Sequence, residues 1–167
     1  MRNGSFTAPE SVEKLGRIGL AAGVVGLALL GAGFATDRTQ FFRSYLTGYM
    51  WMLGLAAGAL GVMVLHHVTR GAWGVMIRRI LEAAASPLTL GFAAVAFLPV
   101  ALGSHSLYEW THEAAVAGDA VLTYKKPWLN EGAFLGRSAF YLVLWIGLAA
   151  VFARLSARQD ETGDRRI

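Results

Sequence analysis

The chain has 167 residues, is 55% hydrophobic and carries a formal net charge of +4, with a mean hydropathy of +0.47. That profile excludes an ordinary soluble domain and points to an integral membrane protein. The absence of cysteine removes disulfides, thiolate zinc sites, Cys-ligated iron–sulfur clusters and covalent C-x-x-C-H haem attachment from this chain.

A helix needs roughly 20 apolar residues to cross a hydrocarbon core of about 30 Å, and four segments approach or meet that length. The expected architecture is all-α and polytopic: a segment 1–17, a four-helix membrane domain over 18–153 and a polar tail 154–167, with spans near 18–36, 49–68, 88–103 and 134–153. The first span lacks the cleavage pattern of a signal peptide and is expected to stay as a membrane helix.

Lysine and arginine set the expected orientation. Arg2, Lys14 and Arg17 precede span one, Arg70, Arg78 and Arg79 follow span two, and Arg154, Arg158, Arg165 and Arg166 follow span four. Both termini and the Thr69–Ser86 loop are therefore expected in the cytoplasm, and the Ser104–Ala133 connection outside. Topology accounts for the positive charge better than nucleic-acid binding, and no nucleic-acid partner is expected.

Spans one, two and four contain Gly19–Gly23, Gly54–Gly58 and Gly147, the first two as G-x-x-x-G within the repeated word GLAAG. Small residues at this spacing allow close helix approach, so these spans are expected to have helical neighbours.

At the end of span two stand His66 and His67. They are candidates for haem ligation or proton transfer, or form the polar rim of a buried helix. The only other histidines, His105 and His112, fall on the expected outer side, so a bis-His haem between the pairs meets a depth mismatch.

In the following loop, Trp73, Met76, Ile77, Ile80, Leu81 and Ala84 fall on one side of a helical wheel and Arg78, Arg79 and Glu82 on the other. The pattern predicts a short amphipathic interfacial helix with an Arg78–Glu82 pair at i,i+4. It suits a membrane-surface anchor, or a docking face for a cytoplasmic partner or anionic lipid. Pro87 ends this helix and opens the third span, and Pro99 is expected to kink that span.

The outer connection holds the densest polar chemistry: His105, Tyr108, Glu109, Trp110, His112, Glu113, Asp119, Tyr124, Lys125, Lys126 and Asn130. Glu109 with His112 or Glu113 has helical spacing and is a candidate carboxylate–imidazole network or metal site, without a recognised metal signature. Tyr108, Trp110, Tyr124 and Trp128 suit an aromatic belt. No Ser–His–Asp set, HExxH or phosphate loop occurs in a suitable context, so the chain is not expected to catalyse a reaction alone.

Three stretches carry a resemblance: "FFRSYLTGYMWMLGLAAGALGVMVLHHVTRGAWGVMIRRILEAAA", "LPVALGSHSLYEWTH" and "YKKPWLNEGAFLGRSAFYLVLWIGLAAVFARLS". The most specific pieces are His66–His67 with Thr69 and Gly71–Gly74, Arg78–Arg79 with Glu82, Leu107–Trp110, and Lys126–Asn130 followed by Arg137. From about Asp37 to Asp160 the chain resembles the second of the NrfD/PsrC-related, quinone-binding-type membrane subunits of the bacterial alternative complex III, a quinol:cytochrome c (electron acceptor) oxidoreductase.

The resemblance implies a bacterial inner-membrane protein with scaffold duties and a proton pathway or quinone contact. Quinone or quinol is then the cofactor this chain could meet directly. Haem and iron–sulfur clusters are expected in partner multihaem and iron–sulfur subunits, alongside other membrane subunits. Proton-pathway candidates are His66, His67, Tyr108, Glu109, His112 and Lys126. Family members carry further spans, and the charged tail resembles an inter-span loop, so an N-terminal portion of a longer protein is expected. The alternatives are a four-helix b-type cytochrome and a membrane anchor or assembly protein without chemistry.

Overall fold

The computed structural model describes residues 10–69 and 77–162, all-α with no strand among them. Four segments are long and apolar enough to cross a membrane: Ser11–Thr36, Arg38–Thr69, Arg78–Leu102 and Glu131–Arg158. The chain is a multi-pass membrane protein by the length and composition of these helices.

It divides into two compact units, one ending at Phe41 and one beginning at Phe42. The first contains α1 (Glu10–Thr36) and the opening residues of α2 (Arg38–Thr69). Asp37 starts α2, since its carboxylate accepts from the Gln40 amide at 3.0 Å while its own amide bonds the Gly33 carbonyl. An aspartate in this role satisfies a donor that the new helix leaves open. Phe34 meets Phe41 edge-on at 5.2 Å, and Arg38 lies over the Phe34 ring.

The second unit contains the rest of α2, then α3 (Arg78–Ala84), α4 (Pro87–Ala96), α5 (Leu98–Leu102), α6 (Ser104–Leu107), a 3-10 turn at Glu109–Thr111, α7 (Glu113–Gly118), α8 (Ala120–Lys125) and α9 (Glu131–Thr162). Its core joins Ala56, Ala59, Leu60 and Met63 of α2 to Ala85, Leu90 and Ala149. Alanine supplies most of these contacts because its short side chain lets helix backbones approach closely, which lipid-embedded helices need in place of a water-driven force.

Within this unit Gly54, Gly58 and Gly147 do not serve that purpose, since a Cβ built at any of them would meet no atom within 4 Å. In α2 the inward face is the one carrying Ala56, Ala59, Leu60 and Met63. The expected close approach through glycine is replaced by approach through alanine.

The third span is broken rather than continuous. α3 stops at Ala84, and α4 restarts with Ser86 as its cap, the hydroxyl accepting from the Thr89 amide at 3.1 Å, with Pro87 in the first turn. Proline suits that place because the amide it lacks has no helical partner there. Phe97 separates α4 from α5, and Pro99 sits in the first turn of α5, in agreement with the expected kink. Just beside this break, the Tyr45 hydroxyl of α2 donates to the Ala96 carbonyl at 2.7 Å.

Leu81 and Ala84 of α3 pack against the core, whereas Ile77 and Ile80 are exposed. The short helix therefore rests partly on protein and partly on its surroundings. Trp73 and Met76, expected on the same face, lie outside the described residues.

Gly103 is required where α5 meets α6, because a Cβ there would run into the ring of Phe42. Gly103→Ala is expected to lower stability by about 1–2 kcal/mol, the usual cost of modest overpacking. A shift in the thermal midpoint of the purified protein measures it, and an unchanged midpoint would show that the Phe42 ring moves aside freely.

Candidate functional site

Polar side chains collect at the two ends of α9. Glu131 opens the helix and Ser156 lies in its last turns, roughly 37 Å away at a rise of about 1.5 Å per residue. Each is bonded to a different part of the third span.

At the Ser156 end, Glu82 of α3 is the hub. Arg78 Nε donates to its Oε1 at 2.7 Å, Ser156 Oγ donates to the same oxygen at 2.7 Å, and Arg79 Nη1 donates to Oε2 at 3.2 Å. The expected Arg78–Glu82 pair is present, with side chains 24% and 16% exposed, and Arg79 joins from a 69% exposed position. Ser156, 6% exposed, couples the pair to α9.

His67 is close by through α9. Its Nδ1 donates to the Met63 carbonyl at 2.8 Å, and its ring lies 4.7 Å from Phe152. That hydrogen bond selects the Nδ1–H tautomer when the ring is neutral and leaves Nε2 as the acceptor. His66 meets His67 edge-on at 5.6 Å and is half-buried. Trp73 cannot be placed in this cluster, since it lies outside the described residues.

At the Glu131 end, Ser104 is 2% exposed and donates from Oγ to Glu131 Oε1 at 2.8 Å. This bond ties the end of the third span to the start of the fourth. Beside it opens a cavity of about 540 Å³, whose wall includes Ser104, Trp110, Glu113, Lys126, Asn130 and Glu131. The helical hairpin of α7 and α8 shapes one side: Asp119 caps α8 through the Val121 and Leu122 amides, and Thr123 Oγ1 donates to the Val116 carbonyl.

The sequence candidates separate within this region. Lys126 lines the cavity. His112 lies against His105 with ring centroids 4.2 Å apart and the rings tilted by 47°. Tyr108 turns to the other side, stacked on Trp110 at 5.1 Å and edge-on to Phe134 at 5.3 Å. Burial pushes the Tyr108 phenol above its ordinary pKa.

Glu109 is exposed, and no side-chain hydrogen bond or ion pair joins it to His112 or Glu113 among the described residues. The backbone explains this: residues 109–111 form a 3-10 turn and His112 is extended at φ −96°, ψ 115°. The helical register that would bring positions three or four apart together is interrupted. Among the described residues no group of three His, Asp or Glu side chains is placed to hold a metal ion.

Two contributors were missed in the sequence, Ser156 and the Ser104–Glu131 pair. Their partners are 74 and 27 residues away, and isolated serines carry no spacing signal. The last element of this end, Arg137, donates from Nη1 to the Trp128 carbonyl at 2.8 Å and lies over the Trp128 ring at 4.2 Å. Such an aromatic and basic rim suits the boundary between hydrocarbon and water.

At one end of α9 a carboxylate is thus held by two guanidinium groups and a serine hydroxyl, and at the other a carboxylate-bearing cavity opens. No family model matches the chain, and no curated protein matches it.

Proposed function

We propose that the chain is a membrane subunit of a bacterial respiratory quinol:electron-acceptor oxidoreductase, akin to the second quinone-binding-type membrane subunit of the alternative complex III, acting as scaffold and as part of a proton pathway. The observation that carries this reading is the order of the sequence words from Asp37 to Asp160, with the titratable residues of those words gathered at opposite ends of α9. Electron carriers belong to partner subunits in this reading, because the chain has no cysteine and its histidine pairs are far apart.

A haem shared between the pairs is disfavoured by distance. His67 lies against Phe152 and His105 follows Ser104, which is bonded to Glu131, so the pairs are separated by roughly 30 Å of α9. A reduced-minus-oxidised spectrum of the purified chain without a b-type haem band would agree, and such a band would restore the cytochrome reading.

The candidate carriers are His66 and His67 at one face, and Tyr108, Glu109, His112 and Lys126 at the other. Intramembrane and interfacial ionisable groups of this kind are the usual components of proton routes. In a purified complex, His66→Ala combined with Glu109→Ala is expected to slow proton release coupled to quinol oxidation. Full turnover with full proton release in that variant would remove the proton-pathway part and leave a scaffold.

The inner-membrane placement, with the His66–His67 end in the cytoplasm, rests on the positive-inside distribution. The natural absence of cysteine makes its test clean. Lys125→Cys is expected to react with a membrane-impermeant maleimide in intact cells, whereas Thr69→Cys reacts only after permeabilisation. The reverse pattern would invert the topology.

A further inference from the structure

We infer that the cavity at the Glu131 end binds a zwitterion bearing a primary ammonium and a phosphate, the chemistry of an ethanolamine phospholipid headgroup. This inference stands apart from the respiratory assignment, since it uses only the cavity and its position in the fold.

The volume of about 540 Å³ falls within the range of small-molecule sites. Two carboxylates, Glu113 and Glu131, and one ammonium, Lys126, face the same space, so the lining favours a cation while offering one place for an anion. Neither Glu113 nor Lys126 makes an ion pair among the described residues. A ligand ammonium between the carboxylates and a ligand phosphate at Lys126 would pair all three charges.

The remaining groups define the ligand more narrowly. Asn130 is consumed by its own turn, donating to the Lys126 and Pro127 carbonyls and accepting from the Ala133 amide. Ser104 gives its proton to Glu131, and the Thr111 and Thr123 hydroxyls of the wall donate to backbone carbonyls, so these three oxygens are left as acceptors, with the His105 imidazole beside them. Acceptors suit an ammonium that has N–H donors. A trimethylammonium group prefers an aromatic cage, and here the one tryptophan of the wall, Trp110, already has Tyr108 stacked on it.

Depth supplies the source. The cavity lies where the third span ends at Leu102 and the fourth begins at Glu131, beside the Trp128–Arg137 rim. That is the level of lipid headgroups. A soluble phosphoethanolamine would satisfy the same charges, and the two sources are separable by experiment.

The protein, purified with whatever subunits stay bound, is placed in nanodiscs containing equal parts of phosphatidylethanolamine, phosphatidylcholine and phosphatidylglycerol, then re-extracted, and its retained lipids are quantified. Ethanolamine lipid is expected to dominate. Glu113→Gln with Glu131→Gln is expected to reduce its retention about tenfold, equivalent to roughly 1.4 kcal/mol, and Lys126→Gln to reduce it severalfold, while Lys125→Gln changes nothing. Because Glu131 also bonds Ser104, Glu113→Gln alone provides the test in a fold with unchanged helicity. Loss of retained lipid to millimolar phosphoethanolamine, with the same carboxylate dependence, assigns the site to the soluble zwitterion; resistance assigns it to lipid. Equal retention of the three lipids, or indifference to Glu113→Gln and Lys126→Gln, overturns the inference.

Discussion

Glu82→Ala is expected to lower stability by about 2–4 kcal/mol, between the small value of an exposed ion pair and the larger cost of breaking a buried one. Glu82 accepts from three donors on two segments, and the Arg78–Glu82 pair is largely shielded. Without the carboxylate, Arg78 keeps its charge in a partly desolvated place and Ser156 loses its acceptor. Arg79 contributes little, because its side chain is mostly exposed.

The loss should have a direction in space. Ser156 is the only residue of α9 bonded to Glu82 among the described residues, so the last turns of α9 should loosen from α3 while the Ser104–Glu131 junction stays intact. Hydrogen exchange near residues 150–158 should rise, with no change near Ser104. Ser156→Ala should reproduce the local loosening at a lower cost of about 1–2 kcal/mol. Replacing Arg78 and Glu82 together with methionine and leucine should recover much of the stability, because the partly desolvated guanidinium is removed along with its carboxylate. A midpoint in Glu82→Ala equal to that of the parent protein would mean that the ion pair and hydroxyl bond add no net stability.

Spans of apolar residues made the helical membrane architecture legible, since backbone satisfaction in lipid leaves few alternatives to helices. The Arg78–Glu82 pair was legible as well, because its spacing is local. Helix phase was less accessible. α2 is apolar around most of its circumference, so glycine and alanine stripes competed as contact faces, and Ala56 and Ala59 won over Gly54 and Gly58. The Glu109 network failed because a 3-10 turn followed by an extended His112 broke an apparent helical spacing. Long-range junctions such as Tyr45 to Ala96 depend on which spans become neighbours, information that residue spacing alone does not carry.

Leu90→Ala is expected to lower stability by about 2–3 kcal/mol, near the lower end of the range for core leucines. Leu90 is 0% exposed and belongs to the cluster that holds α2, α4 and α9 together through Ala56, Ala59, Leu60, Met63 and Ala149. In lipid the transfer part of the usual penalty shrinks, because both sides of the helix are apolar. The void and its lost dispersion contacts remain, at about 24 cal/mol per Å³ of unfilled volume. The alanine-lined neighbours have short side chains and little freedom to collapse into the gap. Ala149→Leu alone is expected to be harmful by overpacking, by about 1–3 kcal/mol. Combined with Leu90→Ala it should recover part of the loss, giving a favourable coupling in a double-mutant cycle. Measured by denaturant titration in detergent micelles, additive losses would show that the two positions do not share one packing space, and that α4 and α9 are joined elsewhere.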